Sequence, residues 1–141
     1  MDWRVSWLFF CMASILVIDD DRHMRIACSR VLSKAGFQVV CAESGEEGLR
    51  TLAGGAQKID VILLDQLMPG MNGMEVLIRI HAIALDLPVV IMTGSATEDD
   101  AREIKLQGAC DCLAKPFTPE QLRNVIQHAL GVTGKKGDAS L

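Results

Sequence analysis

The chain has 141 residues, half of them hydrophobic, with 14 Lys and Arg against 18 Asp and Glu for a formal net charge of -4. That length holds one domain with a real core, and is too short for such a domain plus a separate output module. Lys135-Lys136 is the only adjacent basic pair, so no patch exists to track a phosphate backbone and direct nucleic-acid binding is not expected.

Residues 1–13 come first, where Trp7-Leu8-Phe9-Phe10-Cys11-Met12 follows Arg4 like a rudimentary signal peptide. The run is too short to span a bilayer and leads into the next apolar segment with no small-residue cleavage site. It reads as a dispensable extension, with no membrane contact and a cytoplasmic location. Ile15-Leu16-Val17-Ile18 is then closed by Asp19 and Asp20. From Arg22 to Ala35, apolar residues recur at Met24, Ala27, Cys28, Val31 and Leu32, with Gly36 beyond; that spacing predicts an amphipathic helix with a glycine stop.

Residues 37–42 are β-rich, and Ser44 with Glu47 is a capping box opening a helix to Gly54-Gly55. A strand at Ile59–Leu64, ended by Asp65, precedes a helix over about 73–84. Pro88 starts the fourth strand, which Thr93 ends, and Thr97 with Asp99 and Asp100 marks a helix start. Residues 109–114 form the fifth strand, followed by Lys115, and Thr118-Pro119-Glu120-Gln121 opens the last helix. The expected domain spans 14–130, and Gly131 begins a tail over 131–141 that composition marks as flexible. The five cysteines are odd in number and lack C-x-x-C spacing, which excludes a disulfide framework and a zinc site. Cys28 and Cys41 both read as core packing.

Five β-α units joined by right-handed crossovers predict an α/β fold, a doubly wound five-stranded parallel sheet of order 2-1-3-4-5. Ligands bind such sheets at the carboxyl ends of the strands. Asp19, Asp20, Asp65, Thr93 and Lys115 all stand at those ends, so they should converge. Carboxylates within ~4 Å repel by several kcal/mol even at an effective dielectric near 20, and oxygen-only ligation with room for water is Mg2+ chemistry. A metal, a hydroxyl and an ammonium suit the three equatorial oxygens of a phosphoryl group. Asp65, standing alone at its strand end, is the candidate acceptor.

Four motifs in order, Asp19-Asp20-Asp21, Leu64-Asp65 with Met68-Pro69-Gly70-Met71-Asn72-Gly73, Thr93-Gly94, and Lys115-Pro116-Phe117, resemble the response regulator receiver domain of two-component signalling, a flavodoxin-like (βα)5 fold. The resemblance implies a phosphoacceptor domain rather than an enzyme, with Asp65 charged by a sensor histidine kinase or histidine phosphotransfer protein. It implies Mg2+ held by Asp20, Asp65 and the Leu67 carbonyl, with Asp19 holding a metal-bound water. Output would come through a downstream protein target or onward phosphotransfer, as a single-domain, chemotaxis-regulator-like protein or as a receiver cut from a larger regulator or hybrid kinase. Thr93 would be the switch hydroxyl, with Cys112 where most members carry an aromatic; Cys110 leaves the charged pairing pattern of the output face incomplete. Leu67 and Ser95 would border the path of water to the aspartyl phosphate. Gln66 and Asn72 replace commoner family residues and are expected to leave the chemistry untouched. A rival class is a haloacid-dehalogenase-type phosphatase, with Asp19 as nucleophile and Asp21 beside it, but that family's late acidic pair is missing. A flavodoxin-like cofactor binder lacks both its phosphate loop and its stacking aromatics.

Overall fold

The structure, a computed structural model, describes residues 13–95 and 97–138, with side chains described as far as residue 131. Five strands alternate with five helices: β1 (Ser14–Ile18), α1 (Arg22–Lys34), β2 (Gln38–Ala42), α2 (Gly45–Gly54), β3 (Val61–Asp65), α3 (Gly73–Ile83), β4 (Val89–Thr93), α4 (Glu98–Leu106), β5 (Asp111–Ala114) and α5 (Pro119–Asp138). All pairings are parallel and the strand order is 2-1-3-4-5, as the alternating pattern predicts.

Every residue of β1, β3 and β4 is buried, because helices cover both faces of a central parallel sheet and leave no wet side. Successive side chains point to opposite faces, so each strand feeds two cores. Ile15, Val17, Leu63, Val90 and Met92 pack with Cys28 and Leu32 of α1 and with Leu122, Ile126 and Ala129 of α5. Leu16, Ile18, Ile62, Leu64 and Ile91 pack with Val76, Leu77 and Ile80 of α3 and Ile104 of α4.

The helices start where side chains satisfy free backbone donors. Asp21 accepts from the His23 amide at 2.9 Å, Ser44 from Glu47 at 3.1 Å, Asn72 from Glu75 at 3.0 Å and Thr97 from Asp100 at 3.2 Å. At α5 the capping box closes in both directions, Gln121 N–H to Thr118 Oγ1 at 3.1 Å and Thr118 N–H to Gln121 Oε1 at 2.9 Å.

Two expectations are corrected. Cys28 is buried, but Cys41 is exposed, because β2 is an edge strand that is only partly covered. The last helix continues to Asp138, past the Gly131 at which composition places its end, since Gly131 and Gly134 weaken a helix without terminating it. Of the extension over 1–13, residues 1–12 lie outside the described residues and Ala13 is buried; among the described residues no helix is long and apolar enough to cross a membrane.

Candidate functional site

Strand register assembles the site. Ile18 lies opposite Leu64, so Asp19 and Asp65 leave the sheet side by side. Asp65 lies opposite Met92 and Thr93 opposite Ala114, which brings Thr93 and Lys115 to the same edge. One carboxylate oxygen from each of Asp19, Asp20 and Asp65 lies within 4.8 Å of the others.

These carboxylates are not equivalent. Asp19 is 0% exposed and Asp65 6% exposed, whereas Asp20 faces solvent. Asp19 Oδ1 accepts from the Asp21 amide at 2.9 Å, and Arg25 Nη1 donates to the Asp19 carbonyl at 2.8 Å. Burial pushes the Asp19 carboxyl up to about 6, a rise the Asp65 charge adds to and the Asp21 amide and Lys115 oppose. Lys115 Nζ donates to Asp65 Oδ1 at 3.0 Å and lies 3.5 Å from Asp19 Oδ2. Although burial alone would lower the ammonium, its bond to Asp65 and the charge of Asp19 carry it above its usual value.

Asp19 Oδ2 is buried and receives no hydrogen bond. The Lys115 ammonium 3.5 Å away offsets part of the cost of burying such an acceptor, and a donor or cation in direct contact would offset the rest. A hard cation with coordinated water suits this oxygen-rich, partly open cluster, so the residues present fit magnesium.

The sequence places Asp19, Asp20, Asp65, Thr93 and Lys115 together, and they are together here. Leu67 is 74% exposed on the loop after Asp65, and the Lys115-Pro116 bond is cis. Cys112 is half-buried against the α3–α4 side of the sheet and lines a recess with Asp111, Gln121 and His128. Ser95 hydrogen bonds to Asp100, which helps hold that carboxyl below its usual range, together with Thr97.

Sequence reasoning misjudges one residue. It leaves Gln66 outside the chemistry, yet the Thr93 hydroxyl donates to Gln66 Oε1 at 2.6 Å. The position of Gln66 beside Asp65 is legible, but its partner on another strand is not. Asn72 caps α3. Sequence reasoning also misses Arg25, whose only signal is a basic residue one turn into α1. The phosphatase alternative is not favoured: Asp19 is fully buried and Asp21 is engaged as the cap of α1.

Comparison with known proteins agrees with this architecture. The Response regulator receiver domain family matches residues 15–127. Sporulation initiation phosphotransferase F of Bacillus subtilis is 34% identical over 116 residues, covering 82% of this chain and 92% of that protein. Two-component response regulator ARR14 of Arabidopsis thaliana is also 34% identical over 116 residues, but this chain spans only 30% of its length. The crystal structure of a response regulator receiver domain protein from Clostridium thermocellum superposes with a TM-score of 0.80 at 34% identity, covering 87% of this chain and 98% of that one. The chain belongs to the response regulator receiver domain family of two-component signalling.

Proposed function

We propose that Asp65 is the phosphoacceptor of this domain, with Thr93 and Lys115 as ligands of the phosphoryl group. The observation that carries this reading is the Lys115 ammonium 3.0 Å from Asp65 Oδ1, beside two further carboxylates. An Asp65 oxygen attacks the phosphorus of a phosphohistidine donor; the P–N bond breaks, and its electron pair leaves with the imidazole, which takes a proton from solvent. Lys115 neutralises one of the three equatorial oxygens and the Thr93 hydroxyl donates to another. Asp19, Asp20, the Asp65 carboxylate and the Leu67 carbonyl would hold Mg2+, which when bound supplies the positive charge that lets an anionic nucleophile meet an anionic phosphoryl group.

The donor would be a sensor histidine kinase or a histidine phosphotransfer protein, in the cytoplasm. Sporulation initiation phosphotransferase F, whose length this chain nearly spans, favours onward phosphotransfer as the output; a phosphorylation-dependent downstream protein partner is the other route. Incubation with acetyl phosphate and magnesium should add one phosphoryl group by intact mass, and Asp65→Asn should abolish it. Undiminished labelling of that variant, or labelling without a divalent cation, would overturn the assignment. A primary phosphate on Asp19 would restore the phosphatase reading.

A further inference from the structure

Building on that reading of Asp65, we infer that Gln66 is a positioning residue: it holds the Thr93 hydroxyl in the uncharged protein, so that charging Asp65 must exchange the Gln66 carbonyl for a phosphoryl oxygen. A threonine hydroxyl has one hydrogen to donate. Here it goes to Gln66 Oε1 at 2.6 Å, while the Ser95 amide donates to the same hydroxyl oxygen at 3.1 Å. The hydrogen a phosphoryl oxygen would recruit is therefore already engaged, and its bond must break first.

Gln66 is well placed for this competition because its backbone is fixed on both sides. Its N–H donates to the Met92 carbonyl at 2.9 Å and its carbonyl accepts from Gly73 at 2.9 Å. A Cβ at Gly73 would lie 2.8 Å from Gln66 Cα, so the loop is seated closely and mainly the side chain is free to turn. The half-buried Gln66 amide is thus a competitor tethered beside the acceptor, present at high effective concentration. A hydrogen bond from Thr93 to the phosphoryl group favours activation only by its margin over the bond to Gln66 that it replaces.

The test is an amide NMR titration with beryllofluoride, a phosphoryl mimic, in the presence of magnesium. Gln66→Met keeps side-chain length and removes the carbonyl. It should lower the half-saturating concentration roughly threefold to tenfold, the range of one net hydrogen bond. Gln66→Glu supplies a charged acceptor and should raise that concentration. In a Thr93→Ala background Gln66→Met should have no effect, which separates positioning from a general structural role. In the native chain, the Gln66 side-chain amide resonances should move on saturation, a readout that needs no variant to fold. Unchanged or weaker binding by a folded Gln66→Met protein, persistence of its effect in Thr93→Ala, or Gln66 side-chain resonances that stay still would each overturn the role of Gln66 while leaving Asp65 in place. No response at all in the native chain would remove the reading of Asp65, and this inference with it.

Discussion

The Asp19 carboxylate is buried beside a second carboxylate, with one oxygen that receives no hydrogen bond and has the Lys115 ammonium 3.5 Å away. Its folded value of about 6 lies above the ordinary 3.8. Between those values the folded chain keeps a proton that the unfolded chain has released, so this stabilising contribution is full below about 3.8 and is lost as pH rises through 6. Asp19→Asn keeps an acceptor for the Asp21 amide and removes the charge. In metal-free buffer at pH 7 it should raise stability on the order of 1–2 kcal/mol, a rise of a few degrees in Tm, and flatten the pH dependence between 4 and 6. Magnesium should raise the Tm of the native chain at pH 7 and do so less in Asp19→Asn. A variant less stable than the native chain without metal would show that Asp19 is held by favourable contacts. Leu67 is exposed and apolar and cannot hold water by a hydrogen bond, so phosphate loss from Asp65 should be faster in Leu67→Asn, read as the decay of phosphorylated protein by intact mass. An equal or slower decay would remove Leu67 from the path of water.

At the scale of elements, Asp65 ends β3, and the seat of the β3–α3 loop that follows it depends on Gly73. A Cβ there would lie 2.5 Å from the Asp65 carbonyl oxygen, which is backbone and cannot swing away. Gly73→Ala should cost about 1–3 kcal/mol by overpacking and slow labelling of Asp65 by acetyl phosphate; a native Tm with native labelling would show that the loop absorbs the methyl group. Gly73 is legible in the sequence as a helix start within a familiar motif, though not as the point of closest approach. The same limit applies elsewhere. The buried strands and the caps Ser44, Thr97 and Thr118 can be read because apolar runs and capping patterns are local. The exposure of Cys41 and the bond between Gln66 and Thr93 depend on elements distant in sequence, and no local pattern encodes them.

Across the whole molecule, the site is joined to the opposite side of the sheet edge through β4, β5 and the helices beside them. Thr93 lies opposite Ala114 in register, and Cys112 stands two residues earlier on β5. On the outer surface Asp111 links α4 and α5, with Lys105 Nζ 3.6 Å from one carboxylate oxygen and His128 Nδ1 3.7 Å from the other. Asp111 thus supplies acidic character beside the position where Cys110 leaves the expected charge pattern incomplete. Shifting a two-state equilibrium from 1:99 to 99:1 takes about 5.5 kcal/mol of differential stabilisation, and under the function proposed above Thr93 and Lys115 would supply it through their contacts with the phosphoryl group. A half-buried thiol at Cys112 sweeps out little volume, so the surface change should be modest. Amide NMR with beryllofluoride should show shifts along Glu98–Leu106 and Asp111–Ala114 that Thr93→Ala largely removes and Cys112→Ala largely keeps. Loss of those shifts in Cys112→Ala, with Asp65 still labelled at the native rate, would make the cysteine itself the element that carries the change across the sheet.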